Sequence, residues 1–133
     1  MKYLLDTNIC IYIIKKKPVE VLKKFNQYSV DEIGLSSITV AELEFGVQKS
    51  QYPQKNKEAL EEFLLPLVVV GFDYNAAIAY GKIRSYLESQ GRPIGPLDNL
   101  IAAHALSMDL TLVTNNTKEF SRIPDLKIAN WVE

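Results

Sequence analysis

One cysteine, one histidine and one tryptophan are spread through 133 residues, and each scarcity removes a class of chemistry. A lone cysteine cannot close an internal disulfide, which fits a reducing compartment. A Cys–His nucleophilic pair would need Cys10 and His104 to meet, and Cys10 reads instead as a small core residue of the first helix. Net charge is equally scarce, with 15 basic against 16 acidic residues. Nothing in the bulk charge therefore marks a protein that coats polyanions, although local patches remain open. No apolar run approaches the ~20 residues of a membrane span. The opening residues pass briefly for a secretory signal, with Lys2 ahead of an apolar stretch. Asp6 and Asn8 interrupt that stretch, and Lys15, Lys16 and Lys17 follow it in place of a small-residue cleavage site. There are no repeats, low-complexity tracts or dividing linkers. Residues 1–133 are expected to form one domain of a soluble, cytoplasmic protein with no membrane partner.

What is present is an alternation of short apolar strands with amphipathic helices. "KYLL" predicts a buried strand and "TNICIYIIK" a helix. Pro18 suits the first turn of a second helix with Val21, Leu22 and Phe25 as its stripe. "EIGLS" predicts a second strand, and "TVAELEFGVQ" a helix with Val40, Leu43 and Val47 on one face. A fourth helix runs from Pro53 through Leu60, Phe63 and Leu64 until Pro66 ends it. "LVVVGF", β-branched and wholly apolar, predicts a central parallel strand. Asp73 is placed to cap a helix that stops at Gln90–Gly91. Then come a helix in "GPLDNLIAAHALS", a strand in "LTLVT", a helical turn in "NTKEF" and a last strand in "LKIANW". The fold class is α/β: a central parallel sheet of four to five strands flanked by helices.

Acids recur where strands give way to helices. Asp6 closes the first strand, and Glu42 lies in the first turn after the second. Asn116 and Glu119 follow the fourth strand directly. In a parallel sheet these positions collect at one edge. Asp98, in the first turn of its helix, joins them if the chain from Gly91 to Gly95 returns to that edge. Each residue alone has a structural reading. Thr39-x-x-Glu42 has the form of a capping box, and Asn116-x-x-Glu119 approximates one. Asp98 complements a helix dipole, and Asp6 serves as an N-cap. Together they carry a different meaning, because clustered carboxylates raise one another's pKa and need a cation. Oxygen donors without thiolates point to Mg²⁺, or Mn²⁺, rather than zinc.

His104 lies six residues beyond Asp98, about 240° round the helix, and so faces away from the acids. It shares a side with Leu97, Ile101 and Met108, which implies packing or an interface. The lysines at 15–17, 23 and 24 read as a solvated face or as phosphate contacts. The tyrosines are read mostly as core residues.

"LLDTN", "SSITVAELEFG", "PLDNLIAAHA" and "VTNNTKEF", in this order and spacing, resemble the PIN-domain ribonucleases. Within these they are most similar to the VapC toxins of VapBC toxin–antitoxin modules, and to the subgroup that cuts initiator tRNA in the anticodon stem-loop. The resemblance runs from Lys2 to about Trp131. It implies a Mg²⁺-dependent endoribonuclease, the toxin of a type II module. Asp6 and Asp98 match principal metal ligands, and Glu42 the third acid. The fourth position, usually aspartate, is Asn116 here, with Glu119 three residues on. Which of these two completes the site, and whether a second metal binds, stays open. Thr7 and Thr114 match supporting hydroxyls. Lys118, Arg122, Arg84 and Arg92 are candidates to hold RNA. The resemblance further implies a VapB-like antitoxin, an RNA substrate of the tRNA class and a homodimer.

Two rival readings place a Mg²⁺-binding acid after the first strand. A dehalogenase-type phosphatase needs a second aspartate two residues later, where Asn8 stands. A receiver-type signalling domain needs a phosphorylatable aspartate after the third strand, where Asp73 stands, and adjacent acids after the first, which are missing.

Overall fold

Five short strands, all parallel, form the sheet of the computed structural model, which describes residues 1–132. In chain order the elements are β1 (Tyr3–Leu5), α1 (Thr7–Lys15), α2 (Val19–Asn26), β2 (Ile33–Ser36), α3 (Ser37–Gln48) and α4 (Pro53–Leu64). β3 (Val68–Val70), α5 (Tyr74–Ser89), α6 (Pro96–Ser107), β4 (Thr111–Val113), α7 (Thr117–Phe120) and β5 (Ile128–Ala129) complete them. The strand order is β3-β2-β1-β4-β5, which puts the first strand at the centre. Tyr3 pairs with Ile33 on one side and Thr111 on the other.

A central strand is covered on both faces, and its apolar run divides by alternation. Tyr3 and Leu5 enter a core with Ile9, Val21, Leu35 and Leu60, beneath α1 to α4. Leu4 points the other way, to a core of Ile83, Leu87, Ile101, Leu112 and Phe120 beneath α5 to α7. Asp73 caps α5, accepting the Ala76 amide hydrogen at 3.0 Å. Gly91, at φ +65°, supplies the left-handed turn that ends it. The chain then doubles back so that α6 packs along α5. The Arg122 guanidinium fastens this return, donating to the Pro93 carbonyl at 3.2 Å. α6 consequently starts at the carboxyl edge of the sheet.

Three expectations need correction. "LVVVGF" contributes the edge strand, not a central one: β3 pairs only with β2, and Val68 and Val69 are 44% and 46% exposed. An apolar run reports strand propensity but not rank in the sheet. "LKIANW" supplies only a two-residue strand. Trp131 instead folds into the core, stacked on Tyr28 at 5.5 Å and edge-on to Tyr3 at 5.6 Å. Tyr3, Tyr12, Tyr28 and Tyr80 do lie in or against the cores, as expected of most tyrosines, whereas Tyr52, Tyr74 and Tyr86 are exposed. Finally, His104 does not share a surface with Leu97 and Met108, which are exposed while it is buried. Among the described residues no helix is long and apolar enough to cross a membrane.

Candidate active site

Among the described residues, the buried polar or charged ones are Asp6, Ser36, Thr39, Asn99, His104 and Thr114. They belong to the ends of β1, β2 and β4 and to the helices α3 and α6 that pack there. A small fold that hides polar groups on one side of its core is committing them to a task or to each other.

Asp6 sits at the centre. Its amide donates to the Val113 carbonyl, which holds it between β1 and β4. Its carboxylate accepts the Ile9 amide hydrogen at 2.9 Å and so caps α1. The Thr114 hydroxyl is a second donor to it. Burial nevertheless pushes this carboxyl from an ordinary 3.8 up to about 6. The bonds from Thr114 and Ile9 oppose that rise, while the charges of Asp98 and Glu42 add to it. Asp98 is also raised, by burial first and then by Glu119 and Glu42. Asp6, Glu42, Asp98 and Glu119 thus influence one another through their charges.

Glu42 is held by the Thr7 hydroxyl, which donates to it at 2.9 Å. Glu119 accepts the Asn116 side-chain amide at 2.9 Å. Asn116 stands at the start of α7, but its side chain serves Glu119 and caps no amide, while its own amide hydrogen goes to Thr114 Oγ1 at 3.0 Å. Neither predicted capping box forms. α3 is capped by Ser36, whose hydroxyl accepts the Ile38 amide hydrogen at 3.1 Å, so Thr39 lies within the first turn. Its hydroxyl is buried without a partner. Ser36 and Asn99 were missed in the sequence; the doubled serine at a strand end was the available signal for Ser36.

No cation answers these carboxylates. The ion pairs among the described residues join Lys57 to Glu44, Arg84 to Glu88 and Lys127 to Asp109, all away from the site. The donors are oxygens alone, a set suited to a hard divalent ion. Among the described residues no three acids converge on one point; charge, rather than contact, links them.

The PIN domain family matches residues 3–126. Ribonuclease VapC2 of Haemophilus influenzae is 47% identical over 132 residues, 99% of each chain. The tRNA(fMet)-specific endonuclease VapC of Shigella flexneri is 45% identical over 131 residues, 98% of each. The chain belongs to the VapC ribonucleases. Its fold agrees with the DNA-bound VapBC of Salmonella typhimurium, with a TM-score of 0.93 and 44% identity over 98% of each chain. The VapBC of Rickettsia felis, bound to a promoter fragment, gives 0.90 and 42% over 98% and 99%. As a VapC ribonuclease it is neither a phosphatase nor a receiver, and Asp73 is a helix cap.

Of the cationic residues expected to hold RNA, Lys118 and Arg92 are exposed in this VapC fold. Arg84 is engaged by Glu88 and by the Tyr80 hydroxyl. Arg122 is turned inward to Pro93, with its Nε buried. Cys10 is buried, and burial drives its thiol pKa well up, as expected of a packing residue.

Proposed function

We propose that this ribonuclease is the toxin of a VapBC-type module, and that Asp6, Glu42 and Asp98 hold Mg²⁺ or Mn²⁺ where it cuts RNA. One observation carries the reading: a buried aspartate is raised to about 6 beside acids that no lysine or arginine neutralises. Such an arrangement costs stability unless a cation enters it. When bound, the ion would reverse the local sign, polarise a phosphoryl oxygen and make bound water a nucleophile at neutral pH.

The chain's own residues set the geometry. Thr114 and the Ile9 amide fix Asp6, and Thr7 turns Glu42. Asn116 occupies one oxygen of Glu119 and leaves the other for water or for a proton. Asn116 is thus a holder and Glu119 the working acid at the fourth position. Hydrolysis by water leaves a 5′-phosphate and a 3′-hydroxyl. No histidine is needed as base, and the single one is buried away from the acids. Lys118, next to Glu119, and Arg92, six residues before Asp98, are exposed cations that suit phosphate contact.

Initiator tRNA is the substrate, by likeness to the Shigella enzyme. An antitoxin is the partner, by likeness to the VapBC complexes. A groove of about 290 Å³ supports the latter, lined by Ile11, Ile14, Leu43, Val47 and Leu60 with Glu42 in its wall. It suits an amphipathic segment that ends in a cation. Exposed Leu65, Val68, Val69 and Tyr74 offer apolar area for pairing two copies. Cleavage of a purified tRNA pool, with mapped 5′-phosphate ends, tests the substrate. Equal cutting of initiator and elongator species refutes the specificity, and no cutting in Mg²⁺ or Mn²⁺ refutes the site.

A further inference from the structure

His104 stands on the same helix as Asp98, and its ring makes one hydrogen bond. Nδ1 lies 2.8 Å from the hydroxyl of Ser36, 68 residues away in the chain. Both residues are buried, at 1% and 0% exposure. Ser36 is the N-cap of α3, the helix that carries Glu42. Its neighbour Ser37 accepts the Phe72 amide hydrogen at 3.0 Å, and the Phe72 ring meets the imidazole edge-on at 5.4 Å. The first turn of α3 is thus held through its two serines, by a histidine on one side and a loop on the other.

Hydrogen-bond accounting fixes the direction. Ser36 Oγ already accepts from the Ile38 amide. If the hydroxyl donates to Nδ1, the ring is the Nε2–H tautomer and only Nε2 lacks a partner. If Nδ1–H donates to Ser36 instead, the serine proton and the Nε2 lone pair are both stranded. Each buried polar group left unpaired costs about 1–3 kcal/mol, so the first arrangement is favoured. Nε2 is buried and unpartnered in either arrangement. Burial also lowers the imidazole's pKa from its ordinary value, against the opposing charge of Asp73, and so favours the neutral ring.

We propose that His104 is a positioning residue for RNA cleavage: through Ser36 it locks the start of α3 to α6 and so sets Glu42 against Asp98. This rests on the assignment of those two acids to the metal site. Groups that orient a metal site from outside it are worth roughly 10–100-fold in affinity or activity.

The sole histidine makes the test clean. Ring nitrogen chemical shifts of the intact protein should report the Nε2–H tautomer, and an Nδ1–H ring would overturn the proposal without any variant. His104→Leu keeps an apolar filling but removes the acceptor; it should lower kcat about tenfold and leave KM for RNA unchanged. It should also weaken Mn²⁺ binding, titrated without RNA. His104→Asn, which places an amide oxygen near the Nδ1 position, should restore most of kcat. Adding Ser36→Ala to His104→Leu should lower kcat little further, although it lowers Tm because the cap bond to Ile38 is lost as well. A folded His104→Leu variant with wild-type kcat and Mn²⁺ affinity refutes the positioning role. A Glu42→Gln control separates the two failures: if it is inactive, positioning alone has failed, and if it cleaves normally, the site assignment has failed.

Discussion

Replacing Asp6 by asparagine should stabilise the metal-free protein while abolishing its activity. The native carboxyl titrates near 6 rather than 3.8. That difference corresponds to roughly 3 kcal/mol of destabilisation once the group is ionised. The sign follows from proton binding. Between the two values the native state holds a proton that the unfolded chain has released, so stability falls as pH rises through this window. Above about 6 the loss is complete. Asparagine carries no charge at any pH and keeps an oxygen for the Ile9 amide, although it weakens the bond with Thr114 by about 1 kcal/mol. The Asp6→Asn variant should therefore be about 2 kcal/mol more stable than wild type at pH 8 in EDTA, on the order of 5–10 °C in Tm. At pH 4 the gain should vanish or turn slightly negative. Urea unfolding at the two pH values measures this directly. In Mg²⁺ the order should reverse, because only the wild type gains the ~2.7 kcal/mol available at a hundredfold excess over Kd. Equal destabilisation of the variant at both pH values would mean that Asp6 is a cap and nothing more.

Glu42→Gln and Asp98→Asn should each lower cleavage by roughly 10² or more in saturating Mg²⁺, about 2.7 kcal/mol at the transition state. Both should melt no earlier than wild type in EDTA; early melting with normal cleavage would make them structural. Chelation should stop RNA cleavage and added Mg²⁺ or Mn²⁺ should restore it, as read on labelled RNA; full activity in EDTA refutes the metal site. Arg122→Ala should act on stability, by about 1–2 kcal/mol, because its guanidinium fastens the Pro93 loop. The salt dependence of RNA binding should stay the same, and a shallower slope would return Arg122 to the phosphate contacts.

The two halves of the site differed in how readily the sequence disclosed them. Asp6 could be read because a buried apolar run ended on an acid followed by Thr7 and Asn8. Asp98 could be read only conditionally, since its placement depends on a return of the chain that Gly91 permits and Arg122 secures. That clasp is a tertiary contact with no local signature. The rank of β3 was hidden for a similar reason: Val68 to Val70 have the composition of a central strand, and only sheet order leaves them at the rim. Ser36 was obscured by Thr39, which sits in the right pattern for a cap but three residues too late.

The position of β1 bears on how the enzyme is made. This first strand emerges early in synthesis, yet one of its two neighbours, β4, is among the last segments completed. Until residues 111–113 arrive, Asp6 lacks the carbonyl that anchors its backbone and the hydroxyl of Thr114. Glu119 comes later still. Domains generally fold as units, so the cleft is assembled only once its last wall has been synthesised. A cleft that needs these late segments is therefore incomplete until the carboxyl-terminal part of the chain has been made. Translation from templates truncated before Thr111, with labelled RNA present, should give no cleavage however well the shortened chain folds.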